Sequence, residues 1–292
     1  MSIPMDTQCI QCYLRRNIEL VRPLGDEAKA TEFARELMGL MLAHPAEHSS
    51  PHLGPDVARL LTRMYGLPED RFREEKRLAN RFVLERMEDI RETVRSAADP
   101  VLAGLQMAVL GNYLDFSALQ GNVSFDKLEE MMRSALEMEL DAGTYHRLRR
   151  ELGEAKTLLY LTDNAGEIGF DRVLAEELAR AYPELSITFC VRGGIAANDA
   201  TREDAAAVGI PFPVIDSGSN VAGTPLDQLG EEADRAIRES DVILAKGMAN
   251  TETMLGCGYN VYYAFLVKCP RFVERFGRPM FTPILAPERA ED

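Results

Sequence analysis

The chain has 292 residues and a mass of 32.6 kDa, enough for one large or two modest domains, and its 46% hydrophobic and 27% charged content is ordinary for a globular protein. Thirty-three Lys plus Arg stand against 47 Asp plus Glu, a formal charge of -14. Such a field repels phosphate backbones, which argues against nucleic acid as a general partner but permits a local basic pocket for a small anion. No stretch approaches the roughly 18 apolar residues of a membrane span. The start MSIPMDTQCIQCYLRR lacks the basic and apolar regions of a secretion signal, and five scattered cysteines make no disulfide scaffold. A cytoplasmic protein with no membrane partner is expected.

Cys9 and Cys12 come first in chain order, a C-x-x-C that suits half a zinc site, a redox pair or two small residues on one helical face. Cys269 joins them if the chain's end returns to the first helix. Helical periodicity then runs to about residue 153, with apolar stripes around 27–42, 101–111, 124–138 and 141–152. In REEKRLANRFVLERMEDIRETVRSAADP, residues Val83, Met87, Ile90 and Val94 form one stripe on a helix that stops before Pro100. HPAEH at 44–48 matches the H-x-x-E-H of some zinc peptidases. Pro45 fits only a first turn, however, Ser49, Ser50 and Pro51 stop a helix at once, and no third ligand follows nearby, so this motif is set aside and His52 is assigned to the same exposed loop.

After Lys156 short apolar runs alternate with helical segments, the pattern of a parallel sheet with crossover helices. Strands are expected at 157–161, 186–191, 212–215, 242–245 and 261–267, with helices at about 168–182, 202–208 and 226–239. Thr201 and Asp204 fit a capped helix start. The fold class is therefore α/β, a doubly wound, mostly parallel sheet over 154–292 carrying an all-helical N-terminal subdomain over 1–153.

Ligands of such sheets sit beyond the carboxyl ends of the strands. Three exits there are polar: TLLYL leads into Asp163 and Asn164, SITFCV into Asn198 and Asp199, and VILA into Lys246 and Gly247. Carboxylate and amide oxygens suit Mg²⁺ or Mn²⁺, so Asp163, Asn164 and Asp199 are candidate metal ligands. Lys246 would neutralise a coordinated anion, and Gly247 would let backbone amides approach a phosphate. Metal-assisted phosphoryl transfer to water is the chemistry suggested. Glu167 is either a first-turn acid or the group that orients a water.

The segments DNAGEIGFDRVLAEEL, VRGGIAANDATREDA and KGMANTET resemble the metal-dependent damage-control phosphatases, and CIQC, REEKRLAN and GNYLDF extend the resemblance to the bacterial and archaeal branch across nearly the whole chain. The resemblance implies a helical subdomain on a three-layer α/β/α sandwich. It implies a phosphatase that uses a divalent metal (Mn²⁺, Mg²⁺, Co²⁺ or Ni²⁺) on small phosphorylated metabolites such as sugar phosphates. The family's metal ligands fall on Asp163, Asn164 and Asp199, its lysine on Lys246, and its Gly-Asn-x-x-Asp segment on Asn112 and Asp115. With Gly247, Asn250 and Arg192 these last two make the expected substrate contacts. Met248 and Ala249 stand where many members have Gln and Gly, which bears on the phosphate loop and on substrate preference. Direct attack by water is favoured over an aspartyl-phosphate, because no second aspartate lies two residues after Asp163. The rival readings are an S-adenosylmethionine-dependent carboxyl methyltransferase, which lacks the usual glycine-rich first turn, and a non-catalytic protein that binds metal and a phosphometabolite.

Overall fold

In the computed structural model, which describes residues 2–119 and 122–289, polar caps start several of the helices where the periodicity begins. Asp6 caps α1 (Thr7–Val21) and Asp26 caps α2 (Glu27–Ala43), each accepting a hydrogen bond from the N–H three residues on. After α3 (Gly54–Tyr65) come α4 (Arg73–Glu85) and α5 (Met87–Arg95). Asp99, followed by Pro100, opens α6 (Pro100–Gly111), Ser124 opens α7 (Phe125–Arg133), and Asp141 opens α8 (Ala142–Glu154). The stripe from Val83 to Val94 is buried as expected, but it belongs to two helices rather than one. The chain breaks at Arg86 (φ -110°, ψ 3°), so Val83 and Met87, on either side, both close on one glycine of a neighbouring helix, Gly169. Residues 124–138 likewise divide, into α7 and a 3-10 turn over Ala135–Glu137.

Alternation begins with β1 (Thr157–Leu161), α9 (Glu167–Ala181), β2 (Ser186–Val191) and α10 (Arg202–Ala207), the last opened by Thr201, whose N–H donates to Asp204 at 2.8 Å. The third strand, β3 (Val214–Asp216), starts later than 212, because Pro211 and Pro213 have no N–H to donate to a ladder. Next come α11 (Glu231–Glu239), shorter at its start than 226–239, and β4 (Val242–Lys246). The segment after Lys246 is a helix, α12 (Gly247–Met254), rather than an open loop. It is followed by β5 (Val261–Leu266), α13 (Pro270–Phe276) and β6 (Pro283–Pro287), the last two absent from the sequence reading.

The sheet order is β3-β2-β1-β4-β5-β6, parallel except for β6, which pairs antiparallel to β5 at the edge. Burial along β1, β4 and β5 is nearly continuous, as a sheet covered on both faces requires. One face packs against α4–α6, α8 and α9, and the other against α11–α13 and Ile3. The result is the three-layer α/β/α arrangement. Helices α1–α3 hold a separate small core around Phe33, Leu37 and Leu60. Helix α13 returns to α1, where Arg271 donates to the Cys9 sulfur at 3.1 Å. Cys9, Cys12 and Cys269 are all free and, among the described residues, do not gather into a shared ligand set. No helix of the described residues is long and apolar enough to cross a membrane.

Candidate active site

Strand β1 lies between β2 and β4, so the order of the chain reverses there and a crevice opens at the carboxyl ends of β1 and β4. Asp163 and Asn164 leave β1 into that crevice. A short ladder fixes them against the β2 exit: Ala200 N–H donates to Asp163 O at 2.7 Å, Ala165 N–H donates to Asn198 O at 2.9 Å, and Asn164 pairs with Asp199. The three expected metal ligands are thus brought to one place by backbone pairing, not by chance side-chain rotamers. Gly166 (φ +77°) turns the chain into α9, and its N–H is held by Asn80 Oδ1 at 2.7 Å.

Asp163 projects toward the start of α12. A Cβ at Gly247 (φ +81°) would stand 2.0 Å from Asp163 Oδ2, so the glycine makes room for this carboxylate rather than, as expected, for a phosphate. Asn112, at the end of α6, donates from Nδ2 to Asp163 Oδ2 at 2.9 Å and to Glu167 Oε2 at 2.9 Å, while its Oδ1 accepts from Leu266 N–H. Asn164 Nδ2 donates to Asp163 at 2.8 Å and to Glu167 at 2.7 Å, and its Oδ1 accepts from Asn198 at 2.7 Å. Asn250 donates to the carbonyls of Thr162 and Lys246 and accepts from Thr224 Oγ1 at 2.7 Å.

Lys246 differs most from expectation. Its ammonium is fully buried and donates to Ala108 O at 2.7 Å, Glu167 Oε1 at 2.7 Å and Asp171 Oδ1 at 2.9 Å, so all three protons are spent on protein acceptors. It is the countercharge of Glu167 and Asp171, not a group facing an incoming anion. Glu167 is correspondingly saturated, with both oxygens accepting from Lys246, Asn112 and Asn164. Both residues therefore hold the site rather than carry free chemistry. Asn112 and Asn250, expected on the substrate, also spend their amides on the protein, and Asp115 pairs with Lys268 at 2.6 Å.

Arg192 is the exception. Its Nε donates to Asp199 Oδ2 at 2.7 Å and its Nη2 to Thr162 O at 3.0 Å, with Asp163 Oδ1 at 3.8 Å. Nη1, equally buried, has no hydrogen-bond partner among the described residues. A buried guanidinium donor left without an acceptor is costly, and it marks where an anionic oxygen would be welcome.

Electrostatics point the same way. Asp163, Glu167, Asp171 and Asp199 are buried together beside two buried cations, Lys246 and Arg192, while Asp115 and Lys268 balance each other. Burial, then the neighbouring Asp199 and Glu167 charges, hold Asp163 well above the ordinary carboxylate range. Burial raises Asp199 against the pull of Arg192, and it pushes Asp171 up to about 7 despite Lys246. Lys246 itself is raised, because Asp171 and Glu167 outweigh the effect of its burial. A surplus of two carboxylates among oxygen donors fits a hard divalent cation, which Asp163 and Asp199 could ligate, and the Asn164 oxygen, which accepts from Asn198, keeps a second lone pair.

Residues that sequence reasoning did not single out complete the arrangement. Asn80 and Lys76, within REEKRLAN, reach Asp204 at 2.9 and 2.7 Å, so this segment ties the Gly166 turn to α10. Asp171 and Tyr160 share a 2.7 Å bond beneath Lys246. For Asn80 and Asp171 the signal in the sequence is a polar residue among the apolar positions of a helix.

The damage-control phosphatase ARMT1-like domain model matches residues 5–282. The chain belongs to this family. An uncharacterized protein of Methanocaldococcus jannaschii is 30% identical over 290 residues, covering 94% of this chain and 93% of its own. A damage-control phosphatase of Archaeoglobus fulgidus is 32% identical over 206 residues, covering 70% of each chain. The crystal structure of a DUF89 family protein from Pyrococcus horikoshii superposes with a TM-score of 0.83 over 98% of this chain and 99% of that one, at 23% identity, which bears on fold alone. Membership in the damage-control phosphatase family supports a phosphatase role.

Proposed function

We propose that the chain is a divalent-cation-dependent phosphomonoesterase acting on small phosphorylated metabolites such as sugar phosphates. The observation that carries this reading is the pairing, at one switch point, of surplus buried carboxylates with an unpartnered Arg192 Nη1. The donor set is all oxygen, which suits Mg²⁺ or Mn²⁺, with Co²⁺ and Ni²⁺ also accommodated. Asp163, Asn164 and Asp199 would hold the ion. When bound, such an ion supplies Lewis-acid stabilisation of phosphoryl oxygens.

The chain's own residues do the rest. Arg192 Nη1 binds a second phosphoryl oxygen and stabilises the charge that grows on it as the ester bond breaks. Asp199 holds the guanidinium through Nε, so its plane is set before substrate arrives. Asn112, Glu167 and Lys246 fix the Asp163 carboxylate, and Gly247 gives it room. The oxygen of water replaces the alkoxide on phosphorus, yielding alcohol and inorganic phosphate. Ala165, two residues beyond Asp163, offers no acid or base for an aspartyl-phosphate route, which supports direct attack by water. Phosphate release from a panel of sugar and cofactor phosphates, with and without Mg²⁺, Mn²⁺, Co²⁺ and Ni²⁺, tests the reading. Metal-stimulated turnover that Asp163→Asn abolishes without unfolding the protein is expected; turnover indifferent to chelator would sink it.

A further inference from the structure

In the sequence the histidines of HPAEHSSPH lack a third ligand, but the fold supplies one. His52 is buried rather than exposed, and Asp227, from the loop between β3 and α11, meets it. His52 Nε2 stands 3.3 Å from Asp227 Oδ1 and His48 Nε2 stands 3.5 Å from Asp227 Oδ2. One ligand atom from each of the three residues lies within 4.8 Å of the others. The two imidazoles are stacked, with ring centres 4.4 Å apart and planes 22° apart.

We propose that His48, His52 and Asp227 form a second metal site, separate from the strand-end carboxylates, for a borderline divalent ion such as Zn²⁺.

Four points of geometry and chemistry favour a shared ion over a plain ion pair. A charge-assisted hydrogen bond from imidazolium to carboxylate closes to about 2.7–2.9 Å, shorter than either contact here. Ligand atoms around a tetrahedral zinc with bonds of about 2.0–2.1 Å stand roughly 3.3–3.4 Å apart, close to the two histidine-to-carboxylate distances, with one atom of each residue within 4.8 Å of the others. The stacked rings both present Nε2 to Asp227, one to each carboxylate oxygen, so two imidazole nitrogens face one place. Finally, Ser49 Oγ lies 2.9 Å from His52 Nδ1, the kind of contact that fixes a ligating ring through its other nitrogen. The Asp227 side chain is 52% exposed and that of His48 27%, so an ion can enter from solvent and keep a water as fourth ligand.

The site would fasten two parts of the chain. Met5 N–H donates to His48 O at 3.0 Å and Ser50 Oγ to Glu252 at 3.1 Å, while Thr224, three residues before Asp227, donates from its N–H to Thr253 Oγ1 and from its hydroxyl to Asn250 Oδ1. An ion here clips the α1–α3 unit to the loop that braces α12.

Zinc titration of chelator-treated protein, read by thermal shift and by metal analysis after desalting, tests the proposal in an Asp163→Asn background that removes the strand-end site. One equivalent of Zn²⁺ is expected to stay bound and to raise Tm by several degrees. His48→Ala and Asp227→Asn should each weaken binding by at least tenfold and abolish the shift. Both positions are partly exposed, so a folding failure in one variant leaves the other to decide. Zinc retention equal in the parent and both variants, or none in the parent, overturns the site.

Discussion

Replacing Lys246 with Met separates a charge that braces the site from one that greets substrate. The methionine keeps most of the stem and removes an ammonium with three short bonds, to Ala108 O, Glu167 and Asp171. Removing one partner of a buried ion pair costs about 3–5 kcal/mol, because the charge left behind stays out of water. At 2–4 °C per kcal/mol for a chain of this size, Tm should fall by roughly 10 °C. The loss should depend on pH. Asp171, held at about 7 in the folded protein and near 3.8 when unfolded, takes up a proton more readily in the folded state, so its contribution is favourable at low pH and is lost as pH rises through 7. Without Lys246 the folded value rises further, and the deficit should be smaller at pH 5 than at pH 8. Adding Asp171→Asn to Lys246→Met should restore about 1–3 kcal/mol. Urea and thermal unfolding at both pH values read all of this. A loss under about 1 kcal/mol, or activity lost with stability intact, would return Lys246 to the role of an anion ligand and refute the reasoning.

Gly247→Ala brings a Cβ to 2.0 Å from Asp163 Oδ2 at φ +81°, so Asp163 must move; turnover should fall about 100-fold while circular dichroism stays that of the parent. Arg192→Lys keeps the charge but cannot span Asp199 and Thr162 O while presenting a third donor. The inhibition constant for inorganic phosphate should rise at least about tenfold, and an unchanged constant would count against Nη1 as the phosphate donor. Glu252, pushed up to about 7 by burial against the pull of Arg271 and Ser50, should make the parent about 2–3 kcal/mol more stable at pH 5 than at pH 8.5 through this group, since a raised carboxyl favours the fold below its folded value. Glu252→Gln should flatten that slope in urea titrations, and a slope left unaltered would remove Glu252 as its source.

The polar strand exits were legible because a doubly wound sheet always opens its crevice at the carboxyl ends, so Asp163, Asn164 and Asp199 announced themselves as polar residues ending apolar runs. Where their neighbours point was not legible. Lys246 ends β4, but whether its long side chain reaches solvent or turns under α9 depends on Glu167 and Asp171, residues that in sequence look like first-turn and mid-helix acids. The break at Arg86 leaves the apolar period intact and so carries no signature in the sequence. Strand β6 was hidden by the prolines at both its ends, which an edge strand tolerates. Helix α12 has too few apolar residues to show a period. Asp227 lies 175 residues from His52, a distance no local motif can bridge.

The site gathers carboxylates faster than it gathers cations, and the amides around them settle what that imbalance can do. Asn112, Asn164 and Asn250 spend their amide protons on the protein; Asn112 and Asn164 bridge Asp163 and Glu167 and hold them at fixed spacing, while Asn250 ties the Thr162 and Lys246 carbonyls. The field at the crevice is therefore preorganised, and its unmet demand is for positive charge near Asp163 and Asp199, where burial has raised both carboxyls. A monovalent ion or a lysine would leave half of that surplus in place, whereas a divalent ion held by Asp163, Asn164 and Asp199 would balance it and supply Lewis-acid stabilisation of a phosphoryl oxygen. An imidazole-bearing corner such as His48 and His52 favours a softer cation than an all-oxygen donor set does, so the two donor sets differ in the metal each would prefer.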